Sequence, residues 1–253
     1  ADYNFSAGRP ALIEWRRPFL EKRTEELQKV LECLKAVALG CGNQEAAPPT
    51  LTAAEPAVAL LQEVLRSADM DRLVLVGHSL GAAGVVMALQ STAMERIAAA
   101  IPCGALLYDP WLSPVPDSAI MKGLASPYAV LLSEEWHSYK NELELIETLC
   151  NGRPESALAA VVFNGTRHQW ISDAHLWLPR WLVRRLGLLG PGDYTRVRAA
   201  TVRSTRMCLE ELLRKNDLAG ASRGTEASRG LARRLSLLAP NTIFAAFRQP
   251  ALR

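Results

Sequence analysis

The hydrophobic pattern changes character once along the chain. Over residues 12–39, Leu27, Val30, Leu31 and Leu34 recur at helical spacing among Glu25, Lys29 and Glu32, and Gly40 follows as a stop. This predicts a long amphipathic helix. Residues 41–55 are polar, contain Pro48 and Pro49 and have no period, and Ala57 to Leu65 predicts a second, shorter helix. No convincing strand pattern occurs in the first 70 residues. Beyond Asp71, short apolar runs at Leu73–Val76, Cys103–Tyr108, Tyr128–Leu132 and Leu158–Phe163 alternate with segments of helical length. The helices are expected at 79–93, within 113–123, and at 140–150, 173–187 and 194–215. Such alternation predicts βαβ units, hence an α/β fold with a parallel sheet flanked by helices.

Composition narrows the function classes. The 253 residues are 49% hydrophobic and 22% charged, which excludes a disordered polar chain and a collagen-like fibre. A chain of this length can bury a sizeable core. Lys+Arg 29 against Asp+Glu 26 leaves a net charge of only +3, so no nucleic-acid partner is expected. Cysteines 33, 41, 103, 150 and 208 form neither a CxxC pair nor a Cys/His ligand spacing. They read as small buried hydrophobes, with no metal and no cofactor expected. No apolar run reaches the ~18 residues of a transmembrane helix. The opening Ala1-Asp2-Tyr3-Asn4 has no basic or hydrophobic leader pattern and leaves the compartment open, cytoplasmic or secreted.

The chemistry is concentrated in Leu73-Val74-Leu75-Val76-Gly77-His78-Ser79-Leu80-Gly81, where a strand runs through Gly-x-Ser-x-Gly into a helix rich in small residues. A serine on so sharp a turn stands in a strained backbone, and the positions two before and two after it, Gly77 and Gly81, are expected to be small to avoid a clash. Ser79 is thus the candidate nucleophile. The following helix aims its N-terminus at the reaction centre, with the Leu80 N–H as an oxyanion donor. His78 is too close in sequence to reach around Ser79 and reads as a packing neighbour.

A nucleophilic serine needs a base, and in strand–turn–helix sites of this type the chain order is Ser, acid, His. His168, in Asn164-Gly165-Thr166-Arg167-His168-Gln169 directly after the last apolar strand, is best placed to swing over the elbow. His137 in a Ser/Glu/Trp loop and His175 in a tryptophan-rich helix read as structural histidines. Two acids fit: Asp109 after the second strand, and the Glu134-Glu135 pair after the third. Spacing does not decide between them.

Gly-His-Ser-Leu-Gly at 77–81, Cys103-Gly104 through Asp109-x-Trp111 with Pro114, Ser133-Glu134, and His168-Gln169-x-x-Ser172-Asp173 together resemble the plasma and intracellular type II platelet-activating factor acetylhydrolases, of the group VII phospholipase A2 type. The resemblance spans about residues 12–215. It implies an α/β-hydrolase fold, Ser79 as nucleophile, Asp109 as acid and His168 as base. It also implies hydrolysis of a short or oxidised sn-2 acyl chain from a phospholipid substrate, the activity of a 1-alkyl-2-acetylglycerophosphocholine esterase. Another serine esterase or lipase of the fold, or a catalytically silent lipid-binding fragment, fits the motif as well.

Two small departures, Leu80 and Ala82 in the elbow and a longer stretch from Ser79 to Asp109, leave the catalytic set intact. The third is larger, because only helices are expected before Leu73. The chain then resembles the C-terminal part of the family, without the early strands and the loop that carries the second oxyanion N–H. The expected organisation is a partial α/β-hydrolase domain at 1–217 and a basic, disordered tail at 218–253. An unpaired strand edge would be capped by the 12–39 helix, joined by another chain, or prone to aggregation, with low solubility and little activity. Finally, Trp177 and Trp181 alternate with Arg180, Arg184 and Arg185 in the 173–187 helix. That pattern suits either core packing or an interface with a membrane or lipoprotein surface.

Overall fold

The computed structural model describes residues 8–38, 60, 63–64, 67–69, 72–91, 104–172, 177–188 and 190–217. Most of the expected 57–65 helix, Cys41, Cys103, Asp173, His175 and the 218–253 tail lie outside them. The elements are α1 (Gly8–Ala38), β1 (Val74–His78), α2 (Leu80–Gln90), β2 (Gly104–Tyr108), α3 (Asp117–Lys122), β3 (Tyr128–Ser133), α4 (Glu134–Ser138), α5 (Lys140–Gly152), β4 (Ala157–Phe163), α6 (Arg180–Arg185) and α7 (Tyr194–Asp217). The four strands form one parallel sheet in the order β1-β2-β3-β4. The α/β architecture expected from the alternating pattern is the one observed.

Side chains alternate across the pleat and build two apolar layers. Leu75, Leu107, Val130, Leu132 and Val162 face α1, α2 and α5, while Leu106, Leu131, Val161 and Phe163 face Cys208 and Leu212 of α7. β2 and β3 are buried at every position, which is why they read as continuous apolar runs. β1 stands at the edge of the sheet among the described residues, and its Val76 is 58% exposed. The expected cap over that edge is not where α1 chiefly packs: α1 lies along α2. There Gly84 leaves room for Arg23, and Gln28 hydrogen-bonds Ser91 at 3.3 Å.

Three boundaries differ from the pattern. β1 runs to His78, because the strand hydrogen bonding continues into the turn before Ser79. The 134–138 segment, expected as a loop, is a short helix whose first turn is held by Ser133, the side chain accepting the Trp136 N–H. Within 177–188, regular helix covers only Arg180–Arg185.

Candidate active site

Ser79 sits between β1 and α2 with φ 55° and ψ −123°, a left-handed conformation unusual for a residue with a side chain. Its N–H donates to Tyr108 O at 3.0 Å and its carbonyl accepts from Ala82, Ala83 and Trp111 N–H, so the turn is fastened on both sides. The two glycines of the elbow are not equivalent. A Cβ on Gly77 would lie 2.6 Å from the Ala82 backbone, whereas one on Gly81 would meet nothing within 4 Å. The expectation that both must be small therefore holds for Gly77 alone, because Gly81 faces open space. Leu80 opens α2, where the first N–H groups have no acceptor within the helix.

The strand ends bring three residues together. His168 Nε2 lies 3.0 Å from Ser79 Oγ, and His168 Nδ1 lies 3.1 Å from Asp109 Oδ2. Asp109 follows β2 at φ 40° and is fully buried, with 0% side-chain exposure. Its Oδ1 accepts from the Ser133 N–H at 2.6 Å and its Oδ2 from the Ser133 hydroxyl at 2.7 Å. These bonds fix the carboxylate and leave one oxygen edge toward the imidazole.

Glu134 and Glu135, the alternative acids, do not touch the imidazole nitrogens. Glu134 accepts the Gly165 N–H at 2.6 Å and Glu135 the His168 N–H at 2.8 Å, so both carboxylates hold the backbone of the loop after β4. Of the two residues that frame the ring, His78 was read from the sequence as a packing neighbour and Trp136 was not singled out. Trp136 stacks on one face of His168 with centroids 4.2 Å apart, and its indole N–H donates to Pro110 O at 3.1 Å. His78 lies over His168 at 4.5 Å between centroids, and its Nε2 is 3.0 Å from the His168 carbonyl. Burial, and then the neighbouring His168, push the His78 pKa down from 6.5 and favour its neutral form. Ser133 ahead of two acidic residues was a legible helix start; the stack on His168 had no signal in the sequence.

The ligand atoms of His78, Asp109 and His168 lie within 4.8 Å of one another. Both Asp109 oxygens and both His168 nitrogens already have protein partners, so these groups form a hydrogen-bonded set rather than an open coordination site. Cys150 and Cys208 are buried, as expected of packing residues, and burial pushes their thiols up to about 11 and about 12; Cys33, also read as buried, is instead exposed on α1.

This arrangement can polarise a serine hydroxyl through an imidazole held by a buried carboxylate, and the chain matches the family described as platelet-activating factor acetylhydrolase, isoform II, over residues 9–224. The chain belongs to that family. No individual curated protein matches it. The isoform II acetylhydrolases are α/β hydrolases, and the family implies a hydrolase acting on phospholipid acyl esters. Among the described residues, no helix is long and apolar enough to cross a membrane.

Proposed function

We propose that the chain is a serine carboxylic-ester hydrolase that removes a short or oxidised sn-2 acyl chain from phospholipids through Ser79, His168 and Asp109. The observation that carries this reading is the continuous hydrogen-bonded path from Ser79 Oγ through His168 to Asp109, at 3.0 and 3.1 Å. The buried carboxylate favours the tautomer with the proton on Nδ1, leaving the Nε2 lone pair for the serine. His168 takes the Ser79 proton as Oγ attacks the ester carbonyl, and the oxyanion leans on the Leu80 N–H at the start of α2. Collapse expels the lysophospholipid alkoxide, which receives the proton from His168. Water, activated by the same imidazole, then releases the acyl group as a carboxylic acid and restores Ser79.

The substrate's surface is proposed to be met by the segment after the His168 loop. Trp177 is 86% exposed and Trp181 65% exposed, and Leu186 is exposed nearby, which supports an interface with lipid over a core-packing role. Arg180 and Arg184 are assigned to the same surface on sequence alone. The experiment is hydrolysis of a 1-alkyl-2-acetyl phosphocholine, as vesicle-bound and as monomeric substrate. Release of acetate by the parent and its loss in Ser79→Ala support the esterase. Selective loss on vesicles in Trp177→Ala/Trp181→Ala supports the interface, and equal loss on both forms of substrate contradicts it.

A further inference from the structure

Arg16 differs from Arg9 and Arg23 of the same helix α1. Arg9 reaches Asp117, and Arg23 pairs with Glu26 at 2.9 Å. Arg16 has no carboxylate within salt-bridge distance among the described residues, and its Nε is buried without a hydrogen-bond partner. Its guanidinium carbon lies 3.9 Å from the Trp15 ring centroid and 5.5 Å from those of Phe19 and Trp111. Aromatic faces hold a cation in place but give its buried Nε–H no acceptor. The buried Nε–H without an acceptor is costly, and the half-exposed terminal nitrogens keep the guanidinium open to an anionic ligand.

Its position follows from the packing of two helices. Arg23 lies beside Gly84 and Gln28 beside Ser91, so α1 and α2 run side by side in the same direction. Arg16 precedes Arg23 by about 10 Å of helix, and Ser79 precedes Gly84 by about 7 Å. Arg16 therefore stands at the level of the elbow, at the end of the sheet where Ser79 and His168 meet. The lateral link is Trp111, whose ring lies near Arg16 and whose backbone N–H donates to Ser79 O at 3.2 Å. Farther along α1, Arg9 donates to Ser113 O at 3.1 Å and to Val115 O at 2.8 Å, fastening the helix to the loop that carries Trp111.

We propose that Arg16 receives the phosphodiester of the phospholipid substrate beside Ser79, a subsite that rests on the esterase reading above. In a glycerophospholipid the phosphate is only a few covalent bonds from the sn-2 ester. A planar guanidinium can engage two phosphate oxygens at once, giving orientation as well as charge. The subsite would distinguish a phosphate-bearing ester from an uncharged one of the same glycerol skeleton.

The test compares Arg16→Gln with the parent on monomeric dihexanoylphosphatidylcholine and on triacetin, an uncharged glycerol triester. The expected result is a loss of roughly tenfold or more in kcat/KM on the phosphatidylcholine, mainly through KM, with triacetin hydrolysis within about twofold. Equal losses on both esters, or no loss on either, overturn the assignment. If the parent hydrolyses neither ester, the esterase reading fails, and Arg16 is judged by calorimetric titration with dihexanoylphosphatidylcholine. Binding by the parent that Arg16→Gln abolishes upholds the subsite; no binding, or binding unchanged by the substitution, overturns it. Inorganic phosphate is titrated in parallel, and heat from the salt with none from the lipid marks a free-phosphate site and also overturns it.

Discussion

The imidazole of His168 lies almost flat on the indole of Trp136, with centroids 4.2 Å apart and planes 17° from parallel. In the proposed mechanism the imidazole becomes a cation when it accepts the serine proton, and an indole face stabilises a cation by about 1–2 kcal/mol at a partly desolvated site. On the same proposal the stack also holds the ring during deacylation, when Ser79 Oγ would be acylated and could not hydrogen-bond as a free hydroxyl. Trp136→Leu should lower kcat by roughly tenfold, and Trp136→Phe, which keeps an aromatic face, should recover most of it. Steady-state kinetics of the two variants, with circular dichroism to check folding, measure this difference.

His78 should leave a signature in acid stability. Its folded-state pKa is lowered, by burial first and by His168 second, while Asp109 and the His168 carbonyl act in the opposite direction. The unfolded chain therefore binds the proton more readily, so stability is fully present above pH 6.5 and is lost as the pH falls through the folded-state value. His78→Gln keeps an N–H donor for the His168 carbonyl but cannot titrate. Its Tm should fall less steeply than the parent's on acidification below 6.5. Parallel slopes would show that His78 titrates alike in both states.

The acid assignment separates cleanly by mutation. Asp109→Asn removes the charge on His168 Nδ1 and should cost roughly 10³–10⁴ in kcat. Glu134→Gln keeps an acceptor for the Gly165 N–H and should cost less than about tenfold. The reverse ranking would move the acid to the end of β3.

The elbow glycines predict opposite outcomes for the same substitution. Gly77→Ala forces a methyl within 2.6 Å of the Ala82 backbone and should destabilise the fold by about 1–3 kcal/mol or more. Gly81→Ala adds a methyl in open space and, inside a helix, should be neutral or stabilising by up to about 1 kcal/mol. Thermal denaturation of the two variants tests the contrast.

The parallel sheet was legible because β2 and β3, buried on both faces, leave uninterrupted apolar runs that helical segments separate. Ser79 and His168 were legible because a strand-to-helix turn and a loop after a strand are marked locally. The partner of His168 was not legible from spacing and was given only by the family resemblance, as Asp109. Asp109 and Glu135 both approach it, one at the ring and one at the backbone N–H, and spacing along the chain cannot tell these apart. Trp136 and Arg16 were not singled out for a related reason: the stack of Trp136 on His168 and the approach of Arg16 to Trp111 join residues distant in sequence. The equivalence assumed for Gly77 and Gly81 failed because the motif gives their spacing but not what lies above each Cα.

Reaction with a fluorophosphonate tests the central claim most directly, because phosphonylation needs a serine activated by its imidazole. Intact-mass and peptide mapping should find one adduct, on Ser79, absent in Ser79→Ala and strongly slowed in Asp109→Asn. A parent protein that stays unlabelled, or that carries the adduct on another residue, would contradict the assignment of Ser79, His168 and Asp109 as a working catalytic set.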